Sequence, residues 1–323
     1  MKRRHLLQCL GASALAGPEL LWAADAYPSK PVTWIVGYGA GGNADLRSRQ
    51  MARGMAEVLG MNFIVENKPG AGANIGTAFI IKADPDGYTL GMGNFAPLSV
   101  NQSLFKSMPF KASDATPIML IEKGPLMLMV QKDSPFKSVK DIVAAAKAAP
   151  GKLSYASGGT GGSHHLSGAL FAHAAGIELI HAPYKSGAAA QTDLMAGQVQ
   201  MMFEQMYEAM PSEKSGALRA LAITSARRSP VMPQVPTMAE LGFPDFEVMN
   251  WQGLIAPRGM APAMVKLLNE AANKALQLPY VKNSILSQGN ELGGGTPEQF
   301  AEWIRTETVK WTKVVKDAKV ELI

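Results

Sequence analysis

Two glycine clusters, each between an apolar run of strand length and a helical pattern, constrain this chain more than any other feature. The first, Gly39-Ala40-Gly41-Gly42-Asn43-Ala44-Asp45, follows the run 32–38. The second, Gly158-Gly159-Thr160-Gly161-Gly162-Ser163, follows the run 153–157. A strand that turns through glycine into a helix is the joint of a βα unit, and repeated units build a largely parallel sheet. At such a joint the first helical N–H groups lack an intrahelical acceptor, the helix dipole adds positive potential, and glycine admits a ligand close to the backbone. In open α/β sheets these joints lie at the carboxyl ends of the strands, where ligands bind. Two of them facing one cleft would hold a carboxylate from both sides; the alternative is that the glycines serve turn geometry alone.

The same rhythm runs through the rest of the chain. Strands are expected at 63–66, 88–92, 179–184, 199–203 and 217–224, with helices between them, and 246–256 reads as an extended segment returning to the first lobe. Ser138-Val139-Lys140-Asp141 has the form of a capping box, and Pro150-Gly151 stops the helix it opens. Three helical patterns close the chain. In the last, Thr296 caps, Pro297 suits the first turn, Gln299 completes a capping box, and Phe300, Trp303, Ile304, Trp311, Val314 and Val315 form a core face. With 323 residues, 47% of them apolar, two lobes of ordinary size can each bury a core. No fixed-period repeat or low-complexity linker separates them, so the expected architecture is two α/β lobes joined by crossing strands.

The N-terminal stretch reads as an export leader. Lys2, Arg3 and Arg4 precede an apolar run, 6–16, too short to span a bilayer, and Ala24-Asp25-Ala26 has the small-x-small pattern that predicts cleavage after Ala26. Arg3-Arg4-His5-Leu6-Leu7 also resembles a twin-arginine signal, so Sec and Tat export both stand. The chain carries 31 Lys and Arg against 26 Asp and Glu, a mild basic excess with no block beyond Arg227-Arg228. That excludes the electrostatic footprint of a nucleic-acid binder and favours small anions. The single cysteine, Cys9, falls in the leader, so disulfides, thiol catalysis and thiolate metal sites are excluded from the mature chain.

The motifs of other chemistries are incomplete or poorly placed in this chain. Gly39, Gly41 and Ala44 match the dinucleotide fingerprint, with Glu66 where a ribose-binding acid is expected, but Asp45 would set a carboxylate beside the pyrophosphate. Gly161-Gly162-Ser163-His164-His165 lacks the second glycine of a nucleophile elbow, and no P-loop lysine, H-E-x-x-H or EF-hand spacing occurs. His164 and His165, adjacent in a first turn, point about 100° apart and cannot chelate one metal in the i, i+4 manner. The dipole there favours neutral imidazoles, and His165 is expected either to touch ligand or to brace its loop. Asp193 is expected on a solvated helix face, and Glu204, just past an apolar strand, in reach of a cleft. No metal and no cofactor is expected.

The residues then resemble a known family, the Bug-type extracytoplasmic solute receptors of tripartite tricarboxylate transporters. The likeness rests on Tyr27-Pro28-Ser29-Lys30-Pro31-Val32, Ala40-Gly41-Gly42 with Asp45, Val65-Glu66-Asn67-Lys68-Pro69-Gly70-Ala71-Gly72, and Pro85-Asp86-Gly87-Tyr88-Thr89-Leu90. Pro150-Gly151-Lys152-Leu153, Tyr155-Ala156-Ser157, His165-Leu166, Pro183-Tyr184-Lys185, Asp193-Leu194, Gly197-Gln198-Val199, Arg219-Ala220-Leu221-Ala222 and Val235-Pro236-Thr237 continue it over nearly the whole mature chain. The resemblance implies an α/β periplasmic-binding-protein fold of type II, with residues 27–124 and 252–323 in lobe 1 and 125–251 in lobe 2. It implies a monomeric, non-catalytic receptor that captures a small organic carboxylate and delivers it to membrane permease subunits. Carried over by position, the ligand site would comprise Tyr38, Ala40, Gly41, Gly42 and Asp45 in lobe 1 and Ser157, Gly159, Thr160, Gly161 and His165 in lobe 2. Asn43, Gly158, Tyr184 and Glu204 are further candidate ligand-binding residues beside them. For Asp45 three roles stand open: a cap on its helix, a hold on bridging water, or contact with a ligand amine. Gly37 and Gly39 around Tyr38, the extra glycines of the second loop, Ser186 and Glu204 depart from the family pattern and leave the ligand open among dicarboxylates, amino acids and aromatic carboxylates. A carboxylate sensor using the same pocket is the remaining alternative, with a dinucleotide-binding oxidoreductase behind it.

Overall fold

A computed structural model describes Tyr27 and residues 29–323; the leader, its cleavage after Ala26 and Cys9 lie outside the described residues. The first βα units are β1 (Val32–Val36), α1 (Asn43–Leu59), β2 (Phe63–Asn67), α2 (Asn74–Lys82) and β3 (Thr89–Asn94). A π-helical turn (Ala96–Val100) runs into the short α3 (Asn101–Leu104) and leads to the 16-residue β4 (Thr116–Gln131). The second set comprises α4 (Val139–Ala148), β5 (Leu153–Ser157), α5 (Ser163–Ala175), β6 (Leu179–Pro183), α6 (Gly187–Met195), β7 (Met201–Gln205), α7 (Met206–Lys214) and β8 (Leu218–Ile223). The chain returns through β9 (Met249–Ala256) and ends with α8 (Pro262–Leu276), α9 (Pro279–Ser287), β10 (Glu291–Gly294) and α10 (Pro297–Asp317).

β4 is the strand common to both halves. Its first part pairs antiparallel with β9 and β10, and its second part with β7 and β8. The strand order is β2-β1-β3-β9-β4-β7-β5-β6. β1 pairs in parallel with β2 and β3, and β5 with β6 and β7, so two parallel three-stranded units hang on the crossing strands β4 and β9. The carboxyl ends of β1, β3, β5 and β7 all lead to the space between the units, as the right-handed logic of βα units requires.

Local signals did much of this work. Ser138 Oγ accepts the Asp141 N–H and Thr296 Oγ1 the Gln299 N–H, each within a complete capping box at the expected position. Trp311 is fully buried on α10, where it meets Phe95 edge-on with centroids 5.0 Å apart. Trp303, expected on the same core face, is only half-buried and takes the Lys123 ammonium over its ring at 5.0 Å. β4, α7 and β10 went unread because Pro117, Glu122-Lys123 and Gly124-Pro125 break any period, and Pro211 sits inside α7.

One polar knot ties lobe 1 together. Arg47 on α1 and Glu122 on β4 are 0% and 1% exposed, with Arg47 Nη2 2.9 Å from Glu122 Oε2. Glu122 also accepts from Asn43 Nδ2 (3.1 Å) and Asn290 Nδ2 (2.8 Å), and Arg47 Nη2 donates to Gln288 Oε1 at 2.7 Å. A charge pair this deep persists because most of its remaining hydrogen-bonding capacity is used, Arg47 Nε alone of the guanidinium nitrogens having no partner among the described residues.

Candidate ligand site

The two glycine joints fold as local copies of each other. Gly41 and Gly161 have φ of +87° and +84°, a region that only glycine enters at little cost. The next glycine caps the helix in each case, Gly42 at φ −80°, ψ 172° and Gly162 at φ −77°, ψ 169°, neither offering a capping side chain. The missing cap comes from inside the helix: Asp45 Oδ2 accepts the Gly41 N–H at 3.0 Å, and His165 Nδ1 accepts the Gly161 N–H at 3.0 Å.

Both bracing side chains are themselves fixed. Asp45 takes Arg49 Nη2 and Asn67 Nδ2 on Oδ1, each at 2.9 Å, while Asn67 Nδ2 also reaches Tyr38 O at 3.0 Å. Burial alone would raise the Asp45 carboxyl, but these donors outweigh it and hold its pKa below the ordinary value. His165 stacks on His181 with centroids 3.9 Å apart, and Tyr155 continues the stack at 5.1 Å from His181. Burial pushes both imidazoles down to about 4, so they are neutral in ordinary buffers. Ser157 Oγ bonds His181 Nε2 at 2.6 Å and accepts the Gly159 N–H at 3.2 Å.

A cavity of about 290 Å³ lies where the two joints converge. Lobe 1 contributes Tyr38 and the start of α1, Gly42, Asn43 and Ala44; lobe 2 contributes Gly158, Gly159 and the start of α5, Gly162, Ser163 and His164. The main-chain N–H groups of these two triplets, 42–44 and 162–164, have no acceptor among the described residues. The N–H groups of Gly41, Gly158, Gly159 and Gly161 are all engaged by side chains. At the cavity the free main-chain donors are therefore the first turns of the two helices; Gly158 and Gly159, the other loop glycines that border it, have their N–H groups spent. Gly158 serves packing as well: a Cβ there would come within 2.7 Å of the Gly187 nitrogen at the start of α6.

The remaining wall is built by amides and one acid. Asn94, Phe95 and Ala96 follow β3; Asn250 and Gln252 lie on β9; Gln205, Tyr207 and Glu208 come from the β7–α7 junction. Asn94 and Gln252 are register partners across β3 and β9, and Asn250 Nδ2 donates to Gln205 Oε1 at 2.7 Å across the crossing strands. Among the described residues no lysine or arginine borders the cavity.

In that wall His164 and Glu208, with Glu204 behind them, bring one ligand-type atom each to within 4.8 Å of one another. His164 Nδ1 accepts the Gly158 N–H at 3.3 Å, so in the neutral ring the hydrogen sits on Nε2, 3.2 Å from Glu204 Oε1. A metal on Nε2 would need the opposite tautomer and would turn Nδ1–H against a backbone N–H. Burial lowers the His164 pKa, but the Glu204 carboxylate outweighs it and the net shift is upward, against the dipole-only expectation. Burial would raise Glu204, yet His164 and the donors around it hold it down. Glu208, desolvated and facing Glu204, is pushed up to about 7.

Of the residues singled out in sequence, Tyr38, Gly42, Asn43, Gly158 and Gly159 border the cavity. Ala40, Gly41, Thr160 and Gly161 do not. Ala40 and Thr160 are exposed, and Gly161 faces Leu104, whose Cδ2 would lie 2.4 Å from a Cβ there. Asp45, Ser157 and His165 brace the loops from behind. Tyr184 uses its main chain to donate to Ser157 O at 2.9 Å, while its hydroxyl turns to Asp193. Glu204 sits one layer back, 1% exposed. Sequence reasoning missed Asn94, Gln205, Glu208, Asn250 and Gln252. The one available signal was their place at the cavity ends of β3, β7 and β9, which requires knowing the strand order.

Two parallel units on crossing strands, with opposed helix starts around one cleft, define a two-lobed solute-binding receptor. The chain belongs to the tripartite tricarboxylate transporter receptor family, whose profile matches residues 47–320. It is 37% identical over 325 residues to BugT of Bordetella pertussis, covering 100% of both chains. Among solved structures, an R. palustris protein with adipate superimposes with a TM-score of 0.83 at 31% identity, covering 92% of this chain and 100% of that one. MatC from Rhodopseudomonas palustris with bound malate gives 0.79 at 30% identity, covering 90% and 100%. The family is one of solute receptors, not of enzymes. Among the described residues no helix is long and apolar enough to cross a membrane.

Proposed function

We propose that this chain is an exported receptor that traps a small organic carboxylate between its lobes and hands it to the permease subunits of a tripartite transporter. The observation that supports this reading is the pair of N–H triplets, 42–44 and 162–164, unpaired and lining one cavity without any lysine or arginine among the described residues. Such donors give a carboxylate short charge-assisted bonds, and lobe closure strengthens them by excluding water. The adipate and malate held by the two relatives support the same ligand class. In this reading residues 27–124 and 252–323 form lobe 1, residues 125–251 form lobe 2, the leader ends at Ala26, the mature protein works in the periplasm as a monomer, and no bond is made or broken in the cleft.

A thermal-shift screen of carboxylates on the mature protein tests it. A ligand at 100 times its dissociation constant adds about 2.7 kcal/mol. A flat response to carboxylates with a shift from NAD would overturn the reading.

A further inference from the structure

We propose that Gln205 and Asn250 select the far end of the ligand, so that the preferred solute is a carboxylate whose other end carries an uncharged group that both donates and accepts hydrogen bonds, a carboxamide or a hydroxyl. This rests on the carboxylate reading above and deepens it. The two side chains border the cavity from β7 and β9. Gln205 is the register partner of Leu126 and Asn250 that of Gly124, so they flank β4, the strand common to both halves, from opposite sides. The backbone ladder therefore fixes where both amides stand.

Among the described residues their side chains bond only to each other, Asn250 Nδ2 donating to Gln205 Oε1 at 2.7 Å. One N–H···O bond between two primary amides uses one amino group and one carbonyl and leaves one of each. The remaining groups are Gln205 Nε2 and Asn250 Oδ1. Exchanging oxygen and nitrogen in both amides reverses the bond and still leaves one amino group and one carbonyl, so the balance holds for either orientation. Neither remaining atom is shut away: both residues are half-buried, and neither atom is among the enclosed polar atoms without a partner. Asn250 shares its strand face with Gln252, which also borders the cavity. The pair thus offers the solute one donor and one acceptor, and lobe closure, by expelling water, leaves the solute to satisfy both.

A second carboxylate would serve the amino group but set its charge against the carbonyl. The rest of the wall adds to that cost: among the described residues Glu208 is the one acidic side chain bordering the cavity, and no lysine or arginine borders it. An ammonium would serve the carbonyl and strand the amino group, and a methyl end would strand both. A site built around hydrogen bonds discriminates strongly against analogues that leave its polar groups unpaired. A carboxamide meets the pair with separate oxygen and nitrogen atoms; a hydroxyl does so with one atom.

The test is isothermal titration of the mature protein with carboxylates that differ only at the far end. Unbranched acids of three to six carbons would carry a methyl, hydroxyl, carboxamide, carboxylate or ammonium there, succinamate against succinate and glutaramate against glutarate among them. An aromatic series would set 4-carbamoylbenzoate and 4-hydroxybenzoate against terephthalate. In wild type the carboxamide or hydroxyl member of the best-binding series is expected to bind more tightly than its carboxylate, ammonium and methyl counterparts by about tenfold or more. In Gln205→Met with Asn250→Leu that ratio is expected to fall towards one. Because the readout compares ligands that share a carboxylate, a general loosening of the cleft does not move it. The wild-type series decides the matter even if the double variant does not fold. Tightest binding by a dicarboxylate, an ammonium or a methyl member, or equal binding by all, overturns the selection and leaves the carboxylate reading standing. A carboxamide or hydroxyl preference that survives undiminished in the double variant overturns the role of Gln205 and Asn250. No binding by any carboxylate removes both readings together.

Discussion

Asp45 Oδ2 holds the Gly41 N–H at 3.0 Å and ties the first glycine joint to the helix that follows it. His165 makes the same bond to Gly161 in the other lobe. An acid and an imidazole thus do one job, which is to hold each loop so that the next three N–H groups are left free.

Asp45→Ala strips acceptors from Gly41, Arg49 and Asn67 at once. We expect a loss of about 1–3 kcal/mol in chemical denaturation, the cost of leaving buried donors unpaired. Asp45→Asn keeps an acceptor and should recover part of it. Ligand affinity should follow stability across the pair; a large affinity loss in the stable variant would place Asp45 in contact with ligand.

Gly42 borders the cavity at φ −80°, and a Cβ there meets nothing within 4 Å. Gly42→Trp should therefore fill the cleft without backbone strain. The expected result is loss of the ligand-induced shift of about 2.7 kcal/mol, while the free protein stays within about 0.5 kcal/mol of wild type. Retained binding would show that the cleft lies elsewhere.

The Arg47–Glu122 pair should be unforgiving of single changes. Arg47→Met leaves a buried carboxylate uncompensated and should cost about 3–5 kcal/mol, whereas Arg47→Met with Glu122→Leu should recover much of that. Urea titrations of the two variants decide it.

Glu208 has a folded pKa of about 7, above its unfolded value. Between the unfolded value and about pH 7 the unfolded chain has lost that proton and the folded chain keeps it, so this residue lowers stability as pH rises through that window. Glu208→Gln should therefore gain on wild type with pH, by about 1–3 kcal/mol at pH 8 relative to pH 4. An increment independent of pH would contradict the buried acid pair.

His165 and His181 work in the opposite sense. Both folded pKa values are depressed to about 4, so their stabilising contribution is complete above the unfolded value near 6.5 and is lost as pH falls from there to 4. NMR titration should give imidazole midpoints near 4 for both rings. Midpoints near 6.5 would mean that water reaches the stack.

Whatever depends on neighbours in sequence was legible from sequence. The Ser138 and Thr296 boxes, the glycine at φ +87° before α1, and the β1–α1–β2 and β5–α5–β6 rhythms are set by contacts within a few residues, and short-range sterics decide them. The bracing roles were half legible: Asp45 and His165 stand at matching positions, but only coordinates show that their acceptors are spent on Gly41 and Gly161.

What tertiary structure alone decided is the identity of the wall. Asn94 meets Gln252 because β3 lies beside β9, and Glu208 meets His164 because β7 carries α7 to the start of α5. Strand order is set by long-range pairing around β4, whose prolines and charges hide it from any periodic pattern. A sequence states which residues prefer to turn, cap or hide; it does not state which distant side chains share a cavity. In this chain that sharing turned a glycine-loop clasp into two helix starts facing an acid.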